Sequence, residues 1–181
     1  MTQALLLMDL QIVILERFGA NDDYLDRVVA TQKRAQQAGL LMILVRVGFG
    51  VGHPEISARN KVFSAARAAT SLRLGDPPTA PHPRLIRGNG EVVVTKKRVS
   101  AFSGSDLELV LRAHDVTHLV LAGIATSGVV LSTVRDAADR DYEITVLKDL
   151  CLDSDEEVHR VLTQKVFPRQ ARVTVAADWH P

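Results

Sequence analysis

Thr117-His-Leu-Val-Leu-Ala122-Gly123-Ile-Ala-Thr-Ser-Gly128-Val129-Val-Leu-Ser-Thr133-Val-Arg-Asp-Ala137 is the stretch whose reading decides the fold class. Residues 117–122 are a short apolar run, as expected of a strand covered on both faces. Small residues follow, and a helix is predicted from about Thr126 to Asp141. A covered strand, a tight turn and a helix are the repeating parts of a parallel sheet sandwiched by helices.

The same alternation extends in both directions. Upstream, residues 4–8 predict a first strand. Asn21 then supplies an N-cap, Asp22 and Asp23 sit in a first turn where the helix dipole favours negative charge, and Gly39 closes the helix. Its Leu25, Val28, Val29 and Ala35 fall roughly on one face. Residues 41–47 are a second strand and residues 91–95 a third. Ser105-Asp-Leu-Glu108 is a capping box opening a helix with Leu107, Val110 and Leu111 inward. Residues 143–147 predict a strand after the central helix. Ser154 to Glu157 repeats the capping-box pattern before a helix carrying Val158, Val161 and Leu162, and residues 172–176 make a sixth strand. The expectation is an α/β chain of three layers, α/β/α and Rossmann-like, forming one domain over residues 1–181.

Residues 48–90 break the pattern. They hold five of the seven prolines and six of the eleven glycines, with a short helix predicted near residues 59–69. Such a long excursion in a compact domain is usually a functional cover or contact surface.

Composition excludes several functions. With 22 basic and 21 acidic residues the net charge is +1, which gives no global field for nucleic acid or an anionic membrane surface. The start lacks a basic region before its apolar run, and Asp9 interrupts that run, so a secretory signal is not expected. The longest apolar runs are too short to cross a bilayer. A cytoplasmic address is expected. The single cysteine, Cys151, excludes an intrachain disulfide framework or a Cys-rich zinc site.

Ligands of open parallel sheets bind beyond the carboxyl ends of the strands, where the strand order reverses. Asp9 ends the first strand and Lys96 ends the third. The 123–128 turn ends the fourth and opens a helix. A carboxylate there can transfer protons, and a neighbouring ammonium would hold or orient it. Backbone N–H groups of Ala125, Thr126, Ser127 and Gly128 could stabilise an oxyanion or a substrate carboxylate. The bland alternative is an Asp at a strand end and a solvated Lys.

The motifs carry a resemblance that strengthens the functional reading. Leu7-Met-Asp9-Leu-Gln11, Thr95-Lys96-Lys-Arg-Val-Ser100-Ala-Phe102-Ser-Gly104-Ser-Asp-Leu107, and Gly123-Ile-Ala-Thr126-Ser-Gly-Val-Val-Leu-Ser-Thr133 with Ala137 and Tyr142 resemble successive motifs of the isochorismatase-like hydrolases. That superfamily includes nicotinamidases, N-carbamoylsarcosine amidases and isochorismatases. The resemblance implies a six-stranded parallel sheet in order 3-2-1-4-5-6. It also implies Asp9 as catalytic acid/base, Lys96 rather than Lys97 as catalytic lysine, and a cis peptide at Ile124–Ala125.

One part is missing. By the same resemblance, the cysteine nucleophile of the family's cysteine hydrolases falls at Val129, whose side chain forms no covalent adduct. The isochorismatases resembled here also lack the thiol, and their acid is thought to protonate a vinyl ether and let water add. The expected function is therefore hydrolysis of a small molecule by Asp9 and Lys96 without a covalent cysteine. The alternative is a non-catalytic relative that binds a metabolite or a partner protein in the retained pocket. Cys151 could be offered as a substitute nucleophile, but a small buried thiol is the commoner fate of a lone cysteine.

Gln11, His53 and Phe102 are possible substrate contacts, each set against local packing. Arg46, Arg59 and Arg67 could hold a substrate carboxylate, although surface charge is the commoner use. Gly48-Phe-Gly50-Val-Gly52 has the wrong spacing and position for a dinucleotide loop. His53 and His82 do not complete the nicotinamidase metal pattern implied by the resemblance, so neither a metal nor a cofactor is expected. Family resemblance implies a homo-oligomer, with Phe102, Trp179 and the excursion as candidate contacts.

Overall fold

A computed structural model describes residues 2–85 and 91–181. The end of the excursion, at residues 86–90, and Met1 lie outside the described residues. The central feature is a six-stranded parallel sheet built from β1 (Thr2–Met8), β2 (Leu41–Val47), β3 (Val92–Lys96), β4 (Val116–Ile124), β5 (Glu143–Leu152) and β6 (Arg172–Thr174). Their spatial order is β3-β2-β1-β4-β5-β6, as the resemblance implied. The order reverses between β1 and β4.

Alternation along the strands separates two cores. Ala4, Leu6, Met8, Ile43 and Val45 join one buried cluster with Leu119 and Leu121. Leu5, Leu7, Met42 and Leu44 join the other with Val120 and Ala122. Side chains on a strand alternate between faces, so a sheet covered twice requires apolar residues at both parities. Helix α2 (Asp22–Gln37) lies on the second face, through Tyr24, Leu25, Val28 and Ala35; α4 (Leu107–Ala113) and α5 (Leu131–Ala138) cover the first.

The caps follow local chemistry, with two corrections. The Asn21 side chain accepts a hydrogen bond from the Tyr24 N–H at 3.0 Å, and Gly39 takes the left-handed conformation after α2 (φ 77°). At α4 the Ser105 hydroxyl accepts from Leu107 N–H. Glu108 does not close the box; its carboxylate pairs with Arg112 and Arg140. At α6 (Glu156–Val161) the cap is Asp155, not Ser154, and it accepts from the N–H groups of Glu157 and Val158. A carboxylate one residue later offers these N–H groups a charged acceptor.

Two predicted elements are longer or divided. β5 runs five residues beyond its predicted end because the pairing slips: Leu121 faces Val146, but Gly123 faces Cys151. The predicted helix from Thr126 opens instead with a wide turn, Thr126–Val130, in which Gly128 has a non-helical backbone (φ −99°, ψ −106°). Helix α5 begins only at Leu131.

A short helix, α1 (Ile12–Arg17), follows β1 and was not predicted. The excursion holds α3 (Ser64–Ala68) and short turns at Pro77–Thr79 and Pro83–Leu85. It has its own apolar anchor, in which Phe49, Ile56 and Phe63 pack with Val47. The rings of Phe49 and Phe63 meet edge to face at 5.2 Å. Among the described residues no helix is long and apolar enough to cross a membrane.

Candidate active site

The carboxyl ends of β1, β3 and β4 converge at the point where the strand order reverses. Asp9 leaves β1 with a left-handed backbone (φ 58°), an uncommon conformation for a residue with a side chain. Its carboxylate lies 2.9 Å from Lys96 Nζ, and both side chains are almost withdrawn from water. Lys96 also donates to the carbonyls of Arg98 and Val99 at 2.9 and 3.0 Å. All three ammonium hydrogens therefore have acceptors, and the side chain is fixed in position.

Asp9 is asymmetric. Oδ2 faces Lys96, whereas Oδ1 is buried and has no hydrogen-bond partner among the described residues. Burial raises the Asp9 pKa above its ordinary 3.8, against the lowering effect of the Lys96 charge and hydrogen bond. Desolvation disfavours the charged carboxylate, and here it outweighs the cation beside it.

Gly123 makes this convergence possible. A Cβ built there would lie 2.4 Å from the Met8 carbonyl oxygen and 2.9 Å from the Met8 Cβ. No other residue lets β4 approach β1 so closely one position before Asp9. The next peptide, Ile124–Ala125, is cis.

These parts open on a cavity of about 400 Å³, a size suited to a small organic molecule. Asp9 and Lys96 line it together with Ala125, Gly128 and Val129. Val13, Ile14, Arg17 and Phe18 of α1 and its end form one wall, and Phe63, Ala65, Ala66 and Ala69 of the excursion form another.

The remaining candidates separate. Thr126 is buried, and its hydroxyl shares a 2.8 Å hydrogen bond with His159 Nδ1. Ser127 is exposed and its N–H donates to the Asp153 carboxylate at 2.6 Å, so this amide is occupied within the chain. Gln11 is wholly buried; its amide donates to the carbonyls of Val47 and Thr79 and accepts from Val47 N–H. It ties the end of β2 to the excursion and does not line the cavity. His53 is turned inward, with Nε2 2.7 Å from the Ser71 carbonyl. Phe102 stacks on Tyr142 beneath the Arg140 guanidinium. In each case local packing has claimed the side chain.

The expected contacts between copies are corrected likewise, since Phe102 and Trp179 are buried within the chain itself. Lys97 points away from Asp9, bonding to the Gly48 carbonyl and Glu55, because successive residues of an extended chain face opposite sides. Cys151 is buried in the core, with its thiol pushed up to about 12 by desolvation. Of the arginines, Arg46 is bonded to Thr95 and Arg67 to the Ile56 carbonyl, and neither these nor Arg59 lines the cavity. Arg17 does, and was missed. Its signal was available: Val13, Ile14, Arg17 and Phe18 recur at the spacing of one helix face. Among the described residues no group of three or more His, Cys, Asp or Glu could hold a metal ion.

Comparison with known proteins places this architecture. The model of the Isochorismatase domain matches residues 3–178. The chain belongs to the isochorismatase family. This family member is 30% identical to the isochorismatase family protein YecD of Escherichia coli O157:H7 over 176 residues, covering 95% of this chain and 91% of YecD. It is 31% identical over 168 residues to the ureidoacrylate amidohydrolase RutB of Stutzerimonas stutzeri, covering 81% of this chain and 68% of RutB. An isochorismatase family protein from Burkholderia thailandensis has the same fold, with a TM-score of 0.84 at 27% identity, covering 99% of this chain and 94% of that one. Membership places the chain among hydrolases.

Proposed function

We propose that the chain hydrolyses a small molecule by acid–base catalysis at Asp9, with no covalent enzyme intermediate. The observation that carries this reading is the asymmetry of Asp9: one oxygen is held by Lys96, while the other is buried without a partner among the described residues, on a side chain lining the cavity. Burial raises the Asp9 pKa, which favours the uptake of a proton that the carboxyl can then give to substrate.

In the proposed reaction, Asp9 protonates the leaving heteroatom of the substrate or, in a vinyl ether, the far vinyl carbon, the one that does not bear the oxygen. Water forms a bond from its oxygen to the electrophilic carbon. The bond to the heteroatom breaks, with its electron pair staying on the heteroatom; in the vinyl ether case the hydroxyl proton of the hemiketal passes to that leaving oxygen, giving a carbonyl compound and an alcohol. The proton lost by the water returns to the Asp9 carboxylate, so one water is consumed and the enzyme is restored. Lys96 orients the carboxyl and stabilises the carboxylate between proton transfers. The Ala125 N–H borders the space where negative charge develops, whereas the Gly128 N–H is already given to the Ala125 carbonyl at 3.1 Å, and Val129 supplies an apolar wall where the family resemblance places a thiol.

The test is a panel of small vinyl ethers, amides, ureido acids and esters, followed by product formation and by intact mass of the enzyme during turnover. The RutB relative, an amidohydrolase of ureidoacrylate, puts ureido acids into that panel. Product without any added enzyme mass is expected. A stoichiometric adduct during turnover would contradict the proposal. Saturable binding with no product across the panel would favour a binding protein, the reading that Val129 and the occupied Ser127 amide support.

A further inference from the structure

The charges around the cavity do not cancel. Asp9 and Lys96 face each other at 2.9 Å, and among the described residues the other charged one lining the space is Arg17. Its guanidinium makes no ion pair or hydrogen bond among the described residues. Other arginines without a carboxylate partner among the described residues, such as Arg59 and Arg169, do not line the cavity, so Arg17 is singled out by its position. Arg17 is exposed in the last turn of α1, on the helix face that presents Val13 and Ile14 to the cavity. Ala65, Ala66 and Ala69 also line the space, and their short side chains leave width for an apolar group.

We infer that Arg17 anchors the anionic end of the ligand, and that the cavity takes a small carboxylate with an apolar body in preference to a neutral molecule of the same shape. The inference rests on this cavity being the ligand site and deepens the proposed function by naming a ligand class. A guanidinium offers a planar pair of N–H donors matched to a carboxylate. The apolar residues that line the same cavity, Val13, Ile14, Phe63 and Val129 among them, remove the ligand's body from water. The two ends of the site then differ in chemistry: Arg17 recognises fixed negative charge, and the free Asp9 oxygen meets the part of the ligand that exchanges a proton. Because Arg17 is partly solvated, its discrimination is about tenfold, the value of one charge-assisted hydrogen-bonded contact.

Benzoate and benzyl alcohol are matched probes, nearly equal in shape and different in charge. Their dissociation constants are measured by ligand-observed NMR for the parent, Arg17→Gln and Ala66→Leu. The expected result is about tenfold tighter benzoate binding by the parent, loss of that preference in Arg17→Gln, and weakening of both probes in Ala66→Leu, which fills the cavity. Equal binding of both probes by the parent would overturn the inference. So would a benzoate preference that survives Arg17→Gln, or binding indifferent to Ala66→Leu. These readouts need no turnover, so a failed anchor is distinguishable from failed Asp9 chemistry: hydrolysis lost in Asp9→Asn but unaffected by a neutral Arg17 would sink the anchor alone.

Discussion

Asp9 Oδ2 and Lys96 Nζ meet at 2.9 Å with only 8% and 2% of their side chains exposed. The two residues come from strands that are not neighbours, since β2 lies between β1 and β3. The long lysine side chain spans that gap, fixed by the Arg98 and Val99 carbonyls. A buried pair of this kind is costly to break from one side, because the remaining charge keeps its desolvation penalty without its partner.

A double-mutant cycle should expose that coupling. Lys96→Met and Asp9→Leu are each expected to lower stability by about 3–5 kcal/mol. The double variant should lose markedly less than the sum, because no charge is left buried. Urea denaturation midpoints at fixed pH measure all four corners. Additive losses would show that the pair is not coupled.

The direction of the Asp9 shift gives a pH signature. Its pKa is raised in the folded state above an ordinary 3.8, so folding favours the protonated form. The stability it contributes is fully present below the unfolded value and is lost as pH rises through the higher folded value. The stability of the parent relative to Asp9→Asn should therefore fall as pH rises from the acid side. Denaturation of both proteins across a pH series measures this difference, and a difference that grows with pH would mean the carboxyl pKa is depressed instead.

Thiol chemistry separates the two positions that bear on the proposal of catalysis without a covalent cysteine. Cys151 is buried with its thiol raised to about 12, so the thiolate fraction at pH 8 is on the order of 10⁻⁴. The native protein should resist iodoacetamide and react only when unfolded. Val129→Cys is close to volume-conserving and should cost less than about 1.5 kcal/mol. It should be alkylated in the folded state, since residue 129 lines the cavity. Peptide mapping after timed alkylation distinguishes the sites.

Gly123 sets the spacing between β1 and β4. Gly123→Ala places a methyl group 2.4 Å from the Met8 carbonyl oxygen, a contact that only movement of backbone can relieve. The expected loss is about 1–3 kcal/mol in stability, with a larger proportional loss of activity as Asp9 shifts with β1. Thermal melting and turnover of the same preparation measure both. An unchanged Tm would mean the strands separate freely.

The parts of the fold legible in sequence are those fixed by local chemistry. β2 was read at its observed ends because Leu41–Val47 is apolar at both parities and bounded by glycines. The Asn21 cap was read from one side chain acting three residues away. The site was legible where residue type and strand end coincide, as at Asp9 and Lys96. What escaped depends on contacts distant in sequence. The extension of β5 needs the slip of Cys151 against Gly123. His53 reads as a loop histidine until Ser71, 18 residues on, claims its ring. Gln11 reads as a substrate contact until the Val47 and Thr79 backbone groups occupy its amide. Arg17 is marked in the sequence only by the helical spacing of Val13, Ile14 and Phe18 around it, a faint signal in a helix of six residues.

Turnover of one panel substrate by the parent, Asp9→Asn and Cys151→Ser tests acid–base catalysis at Asp9 most directly. The account predicts that Asp9→Asn lowers kcat by about 10²–10⁴-fold while Cys151→Ser stays close to the parent. Asp9→Asn turning over as fast as the parent would contradict it.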